Sequence, residues 1–166
     1  CLSRCRRIIA QEAAAVTLFR KSSRFEASPE ALFAFHMDAK NLARISPPWP
    51  PFVMVSPPKP TEAGDVQVFR VGPWPVARTW QARITRLEPG RVIEDTQESG
   101  PFLRWRHQHR VSADGDGSRL TDVVAFRLLP TVLGEYVEYL LVRPALWAIC
   151  TWRHWRTRQL LANSDA

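Results

Sequence analysis

Two histidines spaced two residues apart, His107 and His109, lie in the stretch 100–111, GPFLRWRHQHRV, whose side chains sort by parity after a Gly-Pro turn. In an extended strand Leu103, Trp105, His107, His109 and Val111 share one face, and Arg104, Arg106, Gln108 and Arg110 share the other. An interior built only for packing would carry Val, Ile or Leu, so indole and imidazole there describe a cavity wall with polar spots. Asp95 and Gln97 share a face of the preceding strand, and Asp122 falls in phase with Val124, Phe126 and Leu128 on the following one. If these three faces are concave, two carboxylates, an amide and two imidazoles converge near Trp80 and Trp105. Imidazole titrates near neutrality and a buried carboxylate beside it has perturbed protonation. Such a set could move protons in an enolisation or dehydration, or hold a polar head group. His107, His109, Asp95 and Asp122 are the catalytic candidates, none of them assigned. Trp80, Asp95, Gln97, Trp105, His107, His109, Asp122 and Phe126 are the expected ligand-binding residues. Buried His and Asp also commonly do no more than satisfy one another and nearby backbone.

A metal ion is the lesser alternative at the same place. Side chains two apart on a strand start ~6.8 Å apart, yet two imidazoles can converge on one ion at ~2.0–2.1 Å if Asp95 or Asp122 joins them. No second ligand motif accompanies the pair, so no metal and no other cofactor is expected. His36 reads as an ordinary helix residue and His154 as a surface or core-edge one. Nucleophilic catalysis has little support: there is no Gly-x-Ser-x-Gly elbow, and Cys150 sits in an apolar helical stripe where a thiol is inert packing. Gly115 and Gly117 alternate with acids, which repel phosphate and suit a hairpin turn.

The elements that must position these residues are legible in the pattern. A loosely alternating strand at 16–26 precedes Ser28-Pro29-Glu30, which supplies an N-cap, a first-turn proline and a first-turn acid. A short helix follows, and Asp38 caps a second one that Pro47, Pro48, Pro50 and Pro51 end. Strands are expected at 52–56, 66–72, 76–87, 92–97, 102–113 and 119–128, separated by Pro- and Gly-rich turns. Spacing this tight implies an antiparallel meander. After Pro130 the period becomes helical: Leu133, Tyr136, Val137, Leu140 and Leu141 form one apolar stripe. Leu146, Ile149, Cys150 and Leu160 continue a second, widened by Trp147, Trp152 and Trp155. Pro144 must either kink this long helical region or start a new segment at its first turn. This order excludes a doubly wound parallel sheet and predicts an α+β fold, a curved seven-stranded antiparallel sheet wrapped around a long C-terminal helix, with two short helices after the first strand.

Composition bounds what such a chain can be. With 166 residues it suits one domain, expected over 16–163. The chain opens on Cys1 without an initiator Met, so preceding residues are expected to be missing or processed, and 1–15 reads as a poorly defined extension. No apolar run approaches the ~20 residues that span a bilayer, and the opening CLSRCRRII lacks a secretory h-region, so a cytoplasmic protein is expected. Cys1, Cys5 and Cys150 make no disulfide framework, and Cys1 with Cys5 is only a weak metal motif. The net charge of +7 rests on 23 basic residues, of which Lys21, Lys40 and Lys59 are the lysines, leaving 20 arginines. They are spread along the chain on outward strand phases and read first as a solvated sheet face. Attraction of RNA, a ribosome or an acidic membrane to that basic face is a further alternative.

The strings FEASPEALFAF (25–35), NLARISPPW (41–49), DTQESGPFLRWRHQHR (95–110) and LTDVVAFRLLP (120–130), with Leu133-Gly134, together resemble the helix-grip superfamily. That superfamily comprises START-related lipid-transfer domains, birch-pollen-allergen-like proteins and polyketide cyclases or aromatases. The resemblance is closest to its bacterial cyclase/dehydrase-like branch and spans about 20–160. It implies a hydrophobic cavity between the concave sheet and the long helix, a guest such as a lipid, quinone or polyketide, and catalysis only in some members. The expected function is binding or carriage of a small hydrophobic molecule. A cyclase, aromatase or dehydratase using His/Asp acid-base chemistry is the alternative, and any partner enzyme is unknown.

Overall fold

The computed structural model describes residues 16–57 and 59–163. The expected extension at 1–15, with Cys1 and Cys5, lies outside the described residues. Strand β1 (Thr17–Phe25) leads into helices α1 (Pro29–Met37) and α2 (Ala39–Ile45). Both helices start where the sequence places their caps: the Ser28 hydroxyl accepts from the Ala31 N–H at 3.2 Å, and the Asp38 carboxylate accepts from the Lys40 N–H at 2.9 Å. Six strands follow: β2 (Phe52–Met54), β3 (Val66–Val71), β4 (Arg78–Glu88), β5 (Val92–Ser99), β6 (Arg104–Asp114) and β7 (Gly117–Arg127). With β1 they form one antiparallel sheet in the order β1-β7-β6-β5-β4-β3-β2. The β4–β5 register shifts between Gln81 and Ala82 and again between Ile84 and Arg86, irregularities of the kind that bend a strand and curl a sheet.

The C-terminal helical region is interrupted where Pro144 demands it. Helix α3 (Val132–Val137) passes into a π-helical turn (Glu138–Val142) and then into α4 (Arg143–Ala162), with Pro144 in the first turn of α4. Proline has no N–H to offer the carbonyl four residues earlier, and the wider turn, closed by the Arg143 N–H on the Glu138 carbonyl, carries the chain past it. The side turned to the sheet is the line Gly134, Glu138, Leu146, Cys150, His154, Thr157 and Leu161, all buried.

That line corrects the expected stripe of α3 and its π turn. Leu133, Tyr136 and Leu140 face outward, Leu133 being 69% exposed, and Leu141, also largely exposed, stands at the rim of the cavity described below. Two contacts set the phase. A Cβ at position 134 would stand 2.5 Å from the Leu129 carbonyl oxygen, so only glycine lets the helix approach there. One turn on, buried Glu138 accepts hydrogen bonds from the Thr17 hydroxyl at 2.5 Å and the Leu128 N–H at 2.6 Å, with Arg127 Nη1 3.7 Å away. A carboxylate so held cannot face water, and the apolar residues flanking it do.

Two apolar clusters fill the space between sheet and helices. Phe25, Leu32, Phe33, Ile84, Ile93, Val111, Leu120 and Leu161 pack beneath α1 and the end of α4. Phe19, Val124, Phe126, Leu146 and Cys150 pack beneath its start. Phe126 is 0% exposed, so Phe126→Ala is expected to lower the unfolding free energy by about 3–5 kcal/mol, whereas Leu133→Ala should change it by no more than about 0.5 kcal/mol. Equilibrium urea denaturation measures both, and equal losses would contradict the helix phase described.

Candidate functional site

The concave sheet, α2 and α4 enclose a cavity of about 420 Å³, within the range of roughly 300–1,000 Å³ usual for small-molecule sites. One end is aromatic. Phe69 and Trp80 are directly paired across β3 and β4 and stack at 5.7 Å, Phe52 lies 5.1 Å from Phe69, and Trp105 meets Trp80 edge-on at 4.9 Å. Phe102 closes the group, 5.5 Å from Trp80 and 4.9 Å from Trp105. Leu42 and Ile45 of α2 and Leu146 and Ile149 of α4 face these rings.

The other end is polar, and strand register builds it. Asp95 pairs with His107 across β5 and β6, and His109 pairs with Asp122 across β6 and β7. Paired residues point to the same side of a sheet, so four titratable groups share one patch. Asp122 is its centre. Its Oδ1 is 2.6 Å from His109 Nδ1 and 3.3 Å from His107 Nε2, and its Oδ2 is 2.8 Å from His154 Nε2. His154 Nδ1 in turn lies 2.8 Å from the Ser23 hydroxyl, and His107 Nδ1 lies 3.6 Å from Asp95 Oδ2. His36 donates from Nδ1 to the Leu32 carbonyl at 2.8 Å, and its ring sits 5.2 Å from that of His109. All four histidines of the chain therefore gather here.

Burial opposes ionisation of Asp122, but the charge of His109 and hydrogen bonds from His107, His109 and His154 outweigh it and hold the carboxyl well below its usual range. Asp95, with fewer donors, is raised by burial against the pull of His107. Burial also works against a charged His107, yet the Asp122 bond and the two carboxylates raise it. Burial and the neighbouring His107 lower His109, while burial and His109 push His36 down to about 3. Burial and Asp122 push the Cys150 thiol up, which keeps it an inert packing group.

Of the residues expected at a site, Trp80, Asp95, Trp105, His107 and His109 line the cavity. Asp122 lies behind the imidazoles. Phe126 is covered by the start of α4 in the apolar cluster with Leu146. Gln97 turns to the chain reversal after β5, donating to the Phe102 carbonyl at 2.7 Å and accepting from the Phe102 N–H at 3.3 Å. Leu103 precedes β6 and is exposed, and Phe102 takes the inward place expected for it. Sequence reading missed His36 and His154. His154 is 1% exposed at the heart of the cluster, and its spacing of four from Cys150 was the available signal. Arg153, a cation lining an apolar cavity from α4, was also unforeseen.

Sheet, gripping helix and enclosed hollow define a helix-grip cavity protein. The chain belongs to the polyketide cyclase / dehydrase and lipid transport family, whose model matches residues 25–150. No curated protein matches it. Solved structures share the fold at low identity. The TTHA0849 protein of Thermus thermophilus is 12% identical with a TM-score of 0.69, covering 90% of this chain and 100% of that one. The CV1439 protein of Chromobacterium violaceum is 16% identical with a TM-score of 0.66, over 87% of this chain and 96% of that one. Ara h 8.0201 is 15% identical with a TM-score of 0.65, over 90% and 99%. Among the described residues no helix is long and apolar enough to cross a membrane.

The lowered His36 fixes the sign of a pH effect. Between its folded value of about 3 and the value near 6.5 of an unfolded imidazole, the unfolded chain binds a proton that the native one does not. The contribution is complete above that window and is lost as pH falls through it, by up to about 1.4 kcal/mol per pH unit. The raised His107 acts in the opposite sense. His36→Gln should therefore show a shallower loss of stability than the wild type between pH 7.5 and 5, read from urea denaturation at each pH.

Proposed function

We propose that the protein binds and carries a small hydrophobic molecule with one hydrogen-bond-accepting end, of lipid, quinone or polyketide-like type, in a cytoplasmic setting. The observation that carries this reading is the two-ended cavity, aromatic along β3, β4 and β6 and polar around His107 and His109. Trp80 Nε1 and Arg153 Nε are buried donors without a hydrogen-bond partner among the described residues, and both residues line the cavity. Buried donors left unpaired are destabilising, and a small side-chain shift that opened either of them to the cavity would let it bond an acceptor oxygen on a guest. Burying ~200 Å² of the guest's apolar surface would supply about 5 kcal/mol of driving force at ~25 cal/mol per Å². The polar groups would select among guests.

The close His109–Asp122 pair favours a second reading, acid-base catalysis of a cyclisation, aromatisation or dehydration on the bound guest. In that case His109→Ala would retain binding and lose turnover of a polyketone.

Native mass spectrometry of freshly purified protein is expected to show a co-purifying small molecule. A solvatochromic probe, 1-anilinonaphthalene-8-sulfonate, should bind saturably. Ala82 is buried and lines the cavity, so Ala82→Phe, which fills it, should weaken probe binding at least ~10-fold while the overpacking costs no more than about 1–3 kcal/mol. A wild-type protein that carries no guest and binds no probe would overturn the proposal.

A further inference from the structure

One ligating atom from each of His107, His109 and Asp122 lies within 4.8 Å of the other two. Donors bound at ~2.0–2.1 Å to one ion stand about 2.9–3.4 Å apart for angles between 90° and tetrahedral. Asp122 Oδ1 to His107 Nε2, at 3.3 Å, already has that spacing. Asp122 Oδ1 to His109 Nδ1, at 2.6 Å, must open by a few tenths of an ångström when an ion replaces the proton between them.

Hydrogen bonding alone accounts for these distances, but the surroundings add two features of a metal site. The first is support from behind. His107 Nδ1 faces the Asp95 carboxylate at 3.6 Å, and Asp122 Oδ2 accepts from His154, which Ser23 holds in turn. The hydrogen-bonded His154 orients the Asp122 carboxylate, and the Asp95 charge, too distant for a hydrogen bond, raises the basicity of His107. The second is a route of entry, since His107 and His109 both line the cavity in front of Asp122. Arg153 is the cation on the same wall, and the Asp95 and Asp122 carboxylates face the cluster against it.

We infer that His107, His109 and Asp122 form a binding site for one divalent transition-metal ion of the zinc class, set in the cavity wall between the two imidazoles and the buried carboxylate. Two nitrogens and one oxygen suit Zn(II), Co(II) or Fe(II) and disfavour Mg(II) and Ca(II), which take oxygen ligands. The inference does not rest on carriage of a guest, because a metal-free cavity would serve a carrier equally well.

Co(II) titration of the purified, chelator-stripped full chain tests it by visible d–d absorption. The chain's four histidines, His36, His107, His109 and His154, all lie in this cluster, so an imidazole-ligated cobalt spectrum reports this place. Saturable binding of one equivalent, reversed by Zn(II), is expected. His107→Gln and His109→Gln should each weaken it at least ~10-fold, and Asp95→Asn, which removes only a supporting carboxylate, by about 10–100-fold. Tryptophan-fluorescence unfolding confirms that each variant is folded, and if a histidine variant is not, the wild type and Asp95→Asn decide. Absence of saturable binding by folded wild type at up to millimolar Co(II) overturns the inference. So does a thiolate charge-transfer band, which places the ion on cysteine, or unchanged affinity in both histidine variants. Probe binding to the cavity, measured on the same samples, separates this outcome from failure of the carrier reading.

Discussion

A carboxylate can leave water only if donors replace its hydration, and Asp122, fully buried in β7, is where this fold meets that requirement. Its three imidazole partners come from β6 and from α4, and the last of them is anchored to Ser23 on β1. One side chain thus ties the C-terminal helix to β6 and β7. The helix must lie at the depth and angle that bring His154 to Asp122, and this same placement leaves the hollow on the other side of His107 and His109. Glu138 repeats the arrangement at the far end of the helical region, drawing it to the start of β1 and the end of β7. Between these two carboxylates the contact is apolar, through Leu146 and Cys150 on Val124 and Phe126.

Much of the fold could be read from residue types because local signals coincide with it. Ser28 and Asp38 cap the helices expected of them, and Pro- and Gly-rich turns separate strands whose number and antiparallel order follow from short connections. The helical C-terminus was harder. Its inward line of Gly134, Glu138, Leu146, Cys150, His154, Thr157 and Leu161 mixes glycine, a carboxylate and an imidazole with aliphatics, so hydrophobic periodicity selects the wrong side. What decided the phase was satisfaction of polar groups, which depends on partners more than a hundred residues away in sequence, as with Thr17 and Glu138.

The site divides along the same lines. Alternation within β5 and β6 was enough to put Asp95, Trp105, His107 and His109 on the cavity side. It could not show that Gln97 turns aside to hold the Phe102 backbone, since that bond belongs to the turn after the strand. Nor could it show that His36 and His154 join the cluster, because each is brought in by a helix whose docking is a tertiary event. Phe126 has the expected side of its strand but lies under Leu146, so the helix covers it. A two-ended hollow results, in which rings supply area and a small set of charges supplies orientation.

The π-helical turn at Glu138–Val142 is in effect a dial for the helix that follows. It accommodates a residue that a regular α-helix would place elsewhere, and each residue of an α-helix advances by about 100° around the axis. The wide turn absorbs one residue, so Leu146, Cys150 and His154 keep the side that Gly134 and Glu138 began. Deleting a single position within 138–142 would restore an even helix and leave His154 on Asp122. The same deletion within α4 ahead of His154 would have no wide turn to absorb it, and every later side chain would swing by about that angle, exchanging one lining of the hollow for another.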